Sequence, residues 1–446
     1  MNSTFKLRAL AAALVFAGVI APSQAQTAAP SNADFLLQKM EQMQQELNRL
    51  KGELAEIKAS QTKTQATAEL ANAAAQQAKT EVAEVAAVAG TGMKVGGPAT
   101  VLTGYGEINY NNFPNNGNAN QADARRVVLG IQHRFDAKTK FVGEFEWEHA
   151  ITSATDRGEV AIEQAYIEHQ LTDKLAARAG LFLIPMGLLN ENHEPSAFYG
   201  VERNFVETAI IPSTWREGGL MLVGTTETGL TWKAGVSTGF DLNKWDSTAS
   251  EGKESPLGSI HQELQLARAK HLSVFGALDW RGYPGLLVGG GFFTGEAGHG
   301  ALAGNANARI TLWDLHARWT PGKWDVSGVY ASGAINGVAA LNVPLAGDPT
   351  PIPSQFDGAY VQVAYKLWSQ GDYQLKPFVR LERFNTAKAY EQFPNGLGRA
   401  ADPYLNVTTV GANFHLSENV VIKGDYQVFS ANSDSNRVGL GLGWSF

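Results

Sequence analysis

Two periodicities divide the chain. Leu36, Met40, Met43, Leu47, Leu50, Leu54 and Ile57 recur alternately four and three apart, the heptad seam that keeps one stripe of a helix against a partner. Gln61, Thr64, Ala68, Ala71, Ala75, Ala78, Val82 and Val85 continue the register with smaller residues, so the spacing predicts about 50 residues or roughly 75 Å of helix. A stripe this narrow buries little against a globular body and suits two or three identical copies, giving an oligomerising coiled coil or periplasmic stalk. The alternative is one amphipathic helix lying on its own domain. Residues 86–98, rich in Gly and Ala, read as a flexible joint.

From about Ala99 the period shortens to two. Segments of about ten residues alternate apolar and polar and are bounded by turn residues, the signature of an all-β transmembrane barrel. In the last segment Val438, Leu440, Leu442, Trp444 and Phe446 share one face, while Arg437, the glycines and Ser445 share the other. Sixteen such segments are centred near Tyr105, Val128, Gly143, Gln164, Arg178, Leu220, Lys233, Ala277, Gly290, Asp314, Ser327, Val363, Arg380, Val410, Gly424 and Gly441. An even number suits antiparallel closure, and sixteen strands leave an aqueous lumen where eight fill with side chains. Tight turns at Asp136-Ala137-Lys138, Thr172-Asp173-Lys174, Pro321-Gly322-Lys323 and Ser417-Glu418-Asn419 alternate with longer excursions, the longest near 185–215, 239–272 and 335–355. Short turns on one rim and long loops on the other separate an outer-membrane barrel from a soluble sandwich. Trp147, Trp232, Trp280, Trp313, Trp319, Trp368 and Trp444 lie towards strand ends, as interfacial girdles require.

Composition removes competitors. The chain of 446 residues has 47 Gly, 44% hydrophobic and 18% charged residues, too apolar for disorder, and beyond residue 25 no apolar run is long enough for a membrane-spanning helix. A net charge of -7 without a basic block gives no footprint for nucleic acid. With zero Cys there is no disulfide scaffold, thiolate metal site or cysteine nucleophile. Lys6 and Arg8 before the apolar run Ala9 to Ile20, then Ser23-Gln24-Ala25, read as a signal peptide over 1–25, cleaved before Gln26. The expected organisation is therefore an export segment at 1–25, an N-terminal α-helical coiled coil and linker at 26–94 in the periplasm, and a barrel of about sixteen antiparallel strands at 95–446 in the outer membrane.

Local motifs add a resemblance. Gly180-Leu181-Phe182-Leu183-Ile184-Pro185-Met186-Gly187, then Glu202-Arg203 and Arg216-Glu217-Gly218-Gly219, resemble the phosphate-selective porin O and P family of Gram-negative trimeric porins. The terminal Phe446 resembles the aromatic by which barrel-assembly machinery recognises outer-membrane strands. The resemblance implies a homotrimer of sixteen-stranded barrels, each with a loop folded into its pore. The family's anion preference rests on an Arg ladder and a Lys ring that do not match here position by position.

Strand parity supplies the candidate pore lining. Arg126, Arg134, Arg178, Lys233, Arg318, Lys366, Arg380, Lys423 and Arg437 fall on the polar faces, with Glu144, Glu146, Glu148, Glu168, Asp279, Asp314, Asp325, Glu382 and Asp425. This near balance predicts weak net selectivity. The constriction is expected in the segment after Ile184, with Asn190, Glu191, His193, Glu194, Glu202 and Glu207, and with Arg203, Arg216 and Glu217 at the narrow zone. Arg380 and Glu382, two apart, share a face and read equally as a bracing salt bridge or a solute contact. Glu144, Glu146 and Glu148 must face the lumen, since carboxylates on lipid are costly. Gly235-Val236-Ser237-Thr238-Gly239 fits G-x-S-x-G but lacks the strand–turn–helix context, and no His pair has metal-ligand spacing, so no catalytic residue, metal or cofactor is expected. The function expected is passive diffusion of small hydrophilic solutes or ions. A phosphate or inorganic-anion channel, and an envelope tether reaching peptidoglycan with the barrel as anchor, are the alternatives.

Overall fold

The computed structural model describes residues 99–446, apart from 154–155, 303–306 and 392–400; the expected export segment and coiled coil lie outside the described residues. The strands are β1 (Thr100–Asn112), β2 (Gln121–Arg134), β3 (Thr139–Glu148), β4 (Glu159–Thr172), β5 (Leu175–Leu183), β6 (Arg216–Thr225), β7 (Leu230–Ser237), β8 (Ser273–Tyr283) and β9 (Leu286–Glu296). They continue as β10 (Arg309–Trp319), β11 (Trp324–Asn336), β12 (Gln355–Tyr365), β13 (Trp368–Gln370), β14 (Tyr373–Ala389), β15 (Leu405–His415), β16 (Val420–Phe429) and β17 (Arg437–Ser445). β12 and the three-residue β13 both pair with β14, so they form one stave and the wall has sixteen. Neighbouring staves are antiparallel, and β1 pairs with β17 from Tyr105↔Ser445 to Asn112↔Val438, which closes the sheet and leaves no edge. All sixteen expected segment centres fall in separate staves.

The outward face is apolar. Leu102, Ile108, Val127, Ile162, Leu220, Leu278, Val288, Leu315, Val361, Leu381, Val410, Ile422 and Leu440 are exposed around the circumference, an unbroken belt that water would not tolerate and acyl chains cover. Chain entry, chain end and the short turns, such as 173–174 and 284–285, share one rim; the long connections 113–120, 149–158, 184–215, 238–272 and 337–354 share the other. Exposed Trp280, Trp319, Trp324 and Trp368 lie at strand ends on the turn rim, so that girdle is the fuller one. Among the described residues no helix is long and apolar enough to cross a membrane.

The lumen is less polar than alternation alone implies. The 184–215 and 238–272 loops turn inward, and Trp215 meets Phe240 and Phe293 at ring-centroid distances of 4.9 and 4.6 Å. Ile310, Leu312, Val329, Ile335 and Phe356 line the facing wall and are buried with them. Both faces of β10 and β11 are therefore apolar along part of their length: one meets lipid and the other packs under the loops.

Candidate pore constriction

The inward loop begins where β5 ends. Ile184 N–H donates to Trp215 O at 3.0 Å. Asn190 Nδ2 donates to Ile184 O and Trp215 O at 2.7 and 2.8 Å, while its Oδ1 accepts from Trp215 N–H at 2.8 Å. One amide thus satisfies three backbone groups and ties the neck of a loop of some thirty residues, 184–215. Gly187 makes the turn: its φ is +67°, and a Cβ there would collide with Glu207 Oε1. Glu207 Oε1 accepts from the N–H groups of Leu188 and Leu189, and its Oε2 from Asn204 and Tyr360. Burial raises the Glu207 carboxyl above its ordinary range, which these hydrogen bonds only partly offset.

Past that turn the loop crosses the lumen and is fastened to the far wall through its backbone. Gly200 N–H donates to Asn413 Oδ1 at 3.2 Å and Val201 N–H to Asp425 Oδ2 at 2.7 Å. Asn413 Nδ2 donates to Phe198 O at 3.0 Å, and Phe205 N–H to Glu382 Oε1 at 2.6 Å. Arg380 donates to Glu382 at 2.8 Å, to Tyr199 O at 3.0 Å and to Glu202 O at 3.3 Å. Tyr199 Oη donates to Asp325 at 3.0 Å. A loop inside a barrel must have its peptide groups met by protein or water, and here polar side chains of β14–β16 meet those of residues 198–205, while Asp325 of β11 holds the Tyr199 hydroxyl.

The expected pore cations are therefore mostly engaged. Arg126 faces Glu107, Glu146 and Glu148 at 3.0, 2.9 and 3.4 Å. Arg178 pairs with Glu168 at 2.7 Å, Arg318 with Asp325 at 2.6 Å and Lys233 with Glu191. Arg216 pairs with Glu263 at 3.0 Å, so it anchors the 238–272 loop. Arg203 donates to Ser213 Oγ and His193 O inside the loop, and burial beside Arg126 lowers its pKa. Glu217 accepts from Trp215 Nε1 at 3.1 Å and Thr238 Oγ1 at 2.5 Å. Lys423 differs: its Nζ has no hydrogen-bond partner and sits 3.4 Å from the centroid of the Phe198 ring. Arg380, Glu382 and Lys423 converge on the loop that holds Arg203, and Lys233 reaches the same loop through Glu191, whereas Arg178 lies apart from it in its pair with Glu168.

Sequence alternation misses Glu163. A register shift between Glu144 and Phe145 puts a bulge in β4, so Glu163 is buried on the lumen side next to Gln164 instead of facing lipid. The signal was available, since an outward carboxylate at that depth is costly. Tyr105, Tyr199, Tyr360 and Asn413 carry no charge and gave none. Ser237 is buried at the end of β7 without a hydrogen-bond partner for Oγ, far from the geometry of an activated nucleophile.

Open space flanks the loop on both sides. On the turn side a cavity of about 430 Å³ is lined by Glu191, Tyr199, Asp279, His316, Arg318 and Arg380. Within it His316 is held between Asp314 and Asp279 at 2.6 and 2.9 Å. On the loop side a space of about 750 Å³ is lined by Phe205, Thr208, Lys253, Phe384, Asn406 and Phe429. The stretch 198–208 separates the two.

Residues 100–268 match the family described as phosphate-selective porin O and P. An uncharacterized protein of Aquifex aeolicus (strain VF5) is 28% identical over 356 residues, which are 77% of this chain and 79% of that one. Among solved structures, Salmonella typhi OmpF in complex with daunomycin is similar with a TM-score of 0.53 and 12% identity, over 78% of this chain and 97% of that one. An anion-selective porin from Comamonas acidovorans gives 0.47 and 12%, over 78% and 99%. At 12% identity the likeness to OmpF is one of fold.

Proposed function

We propose, for a chain that is an outer-membrane porin similar over residues 100–268 to the phosphate-selective porin O and P family, a weakly selective channel for small hydrophilic solutes, narrowed by the 184–215 loop. The observation that carries this reading is the pairing of the lumen charges. Arg126, Arg178, Lys233, Arg216 and Arg380 each face a carboxylate, so the wall presents transverse dipoles where a ladder of free cations would draw anions. Solutes small enough to pass the loop cross without a covalent step, a cofactor or an energy source. The barrel is read as one of three in a homotrimer, with the 26–94 coiled coil in the periplasm contributing to assembly or reaching peptidoglycan, and with Phe446 as the handle for barrel assembly.

A second reading, an oxyanion channel, has one observation in its favour: Lys423, buried among loop and wall, has an ammonium without an acceptor. One measurement separates the two. In a planar bilayer under a KCl gradient, a diffusion porin gives a zero-current potential near zero and a current unaffected by added phosphate. A strong anion potential with saturable phosphate block, removed in Lys423→Met, establishes the oxyanion channel instead. Absence of conductance leaves the barrel as an anchor for a periplasmic tether.

A further inference from the structure

One corner of the lumen gathers side chains that can ligate a metal ion. Glu144 of β3, Glu163 at the β4 bulge and His193 of the inward loop place one donor atom each within 4.8 Å of one another. Each is oriented by a neighbour through its other atom. His193 Nδ1 donates to Asn190 O at 2.9 Å, while Nε2 has no hydrogen-bond partner and is 3.9 Å from Glu163 Oε2, beyond hydrogen-bond reach. Glu163 Oε2 accepts from Tyr105 Oη at 3.2 Å while Oε1 has no partner, in a residue with 0% exposure. Glu144 Oε2 accepts from Gln164 Nε2 at 2.5 Å. Buried polar atoms are rarely left without a partner, and two of them in one cluster of ligand-bearing side chains call for a ligand.

We propose that Glu144, Glu163 and His193 bind a first-row divalent transition cation, with Zn²⁺ the best match to one imidazole nitrogen and two carboxylate oxygens. An imidazole donor disfavours Mg²⁺ and Ca²⁺, which take oxygen ligands. A Zn²⁺ ion bonds such donors at about 2.0–2.2 Å, and side-chain shifts of about half an ångström bring atoms spanning 4.8 Å to that distance. A backbone carbonyl on Nδ1 and hydrogen bonds on the distal carboxylate oxygens are the outer-shell support that metal-ligating side chains have. Glu146, held by Arg126 at 2.9 Å on the same face, is not needed as a ligand. Glu144 is only half-buried, so the ion enters from its side. The consequence is structural: the ion staples the inward loop, through His193, to the β3–β4 wall.

The test needs no transport. The full-length native protein in detergent is stripped with EDTA, equilibrated with micromolar ZnCl₂, gel-filtered and assayed for zinc by atomic emission. About one Zn²⁺ per chain is expected, unchanged in Glu168→Gln, whose carboxylate lies outside the cluster. In His193→Ala and Glu163→Gln the affinity falls at least tenfold while heat-modifiable migration on gels shows an intact barrel. Zinc that is not retained by the native protein overturns the proposal, leaving a plain ion pair between protonated His193 and Glu163. Zinc retained equally by both variants also overturns it, placing the ion elsewhere. Should the variants fail to fold, X-ray absorption at the zinc edge of the native protein decides: one imidazole with oxygen ligands supports the site, and a shell of oxygens alone refutes it.

Discussion

The β1–β4 wall and the β14–β16 wall face the same loop with similar polar groups and do different things with them. On β14–β16 the side chains of Arg380, Glu382, Asn413 and Asp425 each bind backbone of residues 198–205, so their hydrogen-bonding capacity goes into holding a peptide segment in place. On β1–β4 Glu107, Glu146 and Glu148 converge on Arg126, and the contacts to the loop are few: Asn111 Nδ2 to Glu202 Oε1 at 2.9 Å, and the approach of His193 to Glu163. Unpartnered Glu163 Oε1 and His193 Nε2 remain on that side. Charge in a lumen therefore has to be read by what it faces: where it meets backbone it is scaffold, and where it meets empty space it is ligand capacity.

Removing the largest scaffold contact should separate the walls most. Arg380→Met deletes the partner of Glu382 and the donors to Tyr199 O and Glu202 O, all at a site where Arg380 is 2% exposed. Stranding a buried carboxylate costs about 3–5 kcal/mol, so the heat-modifiability midpoint on gels should fall clearly and single-channel conductance should rise as the loop leaves the wall. Unchanged conductance would mean that the neck at Asn190 and the contacts of Asn413 and Asp425 hold the loop in place without Arg380. Asn413→Ala comes next. It orphans Gly200 N–H and Phe198 O for a cost of about 1–3 kcal/mol, with a smaller rise in conductance by the same bilayer measurement.

The opposite wall should be more forgiving. Glu163→Gln keeps an acceptor for Tyr105 Oη, and the oxygen it replaces has no partner to lose. Its midpoint in metal-free buffer should lie within about 1 kcal/mol of the native protein's. A loss as large as that of Arg380→Met would make Glu163 part of the scaffold and remove the contrast between the walls.

Much of this was legible before any coordinates, and the reason is physical. Lipid on one face and water or polar packing on the other impose period two on every stave, so the segments around Tyr105 through Gly441 could be counted from the chain alone. The inward loop was legible as length, since 184–215 is far longer than a strand connection needs to be. What alternation could not carry was partnership. Arg380 and Lys423 look alike in sequence, each on the polar face of a strand, yet one binds a carboxylate and two loop carbonyls and the other rests on the Phe198 ring. Those outcomes depend on where residues 198–205 lie across the barrel, a contact between segments about 180 positions or more apart. Glu163 escaped for a different reason: one extra residue in β4 reverses parity locally, and a bulge has no periodic signal of its own.

The smallest effect tests the rule behind the comparison. Lys174 and Glu227 approach to 2.5 Å on the turn rim, closer than Arg380 and Glu382 at 2.8 Å, so distance alone would rank the rim pair as the stronger. Their side chains are 54% and 85% exposed, however, and water and salt screen the attraction while both long side chains give up rotamer freedom to hold it. Lys174→Ala should therefore change stability by less than about 0.5 kcal/mol and leave conductance as it was. If the gel midpoint fell as far as in Arg380→Met, proximity and not burial would govern charge pairs in this barrel. The assignment of the β14–β16 wall as scaffold would then need to rest on its backbone hydrogen bonds alone.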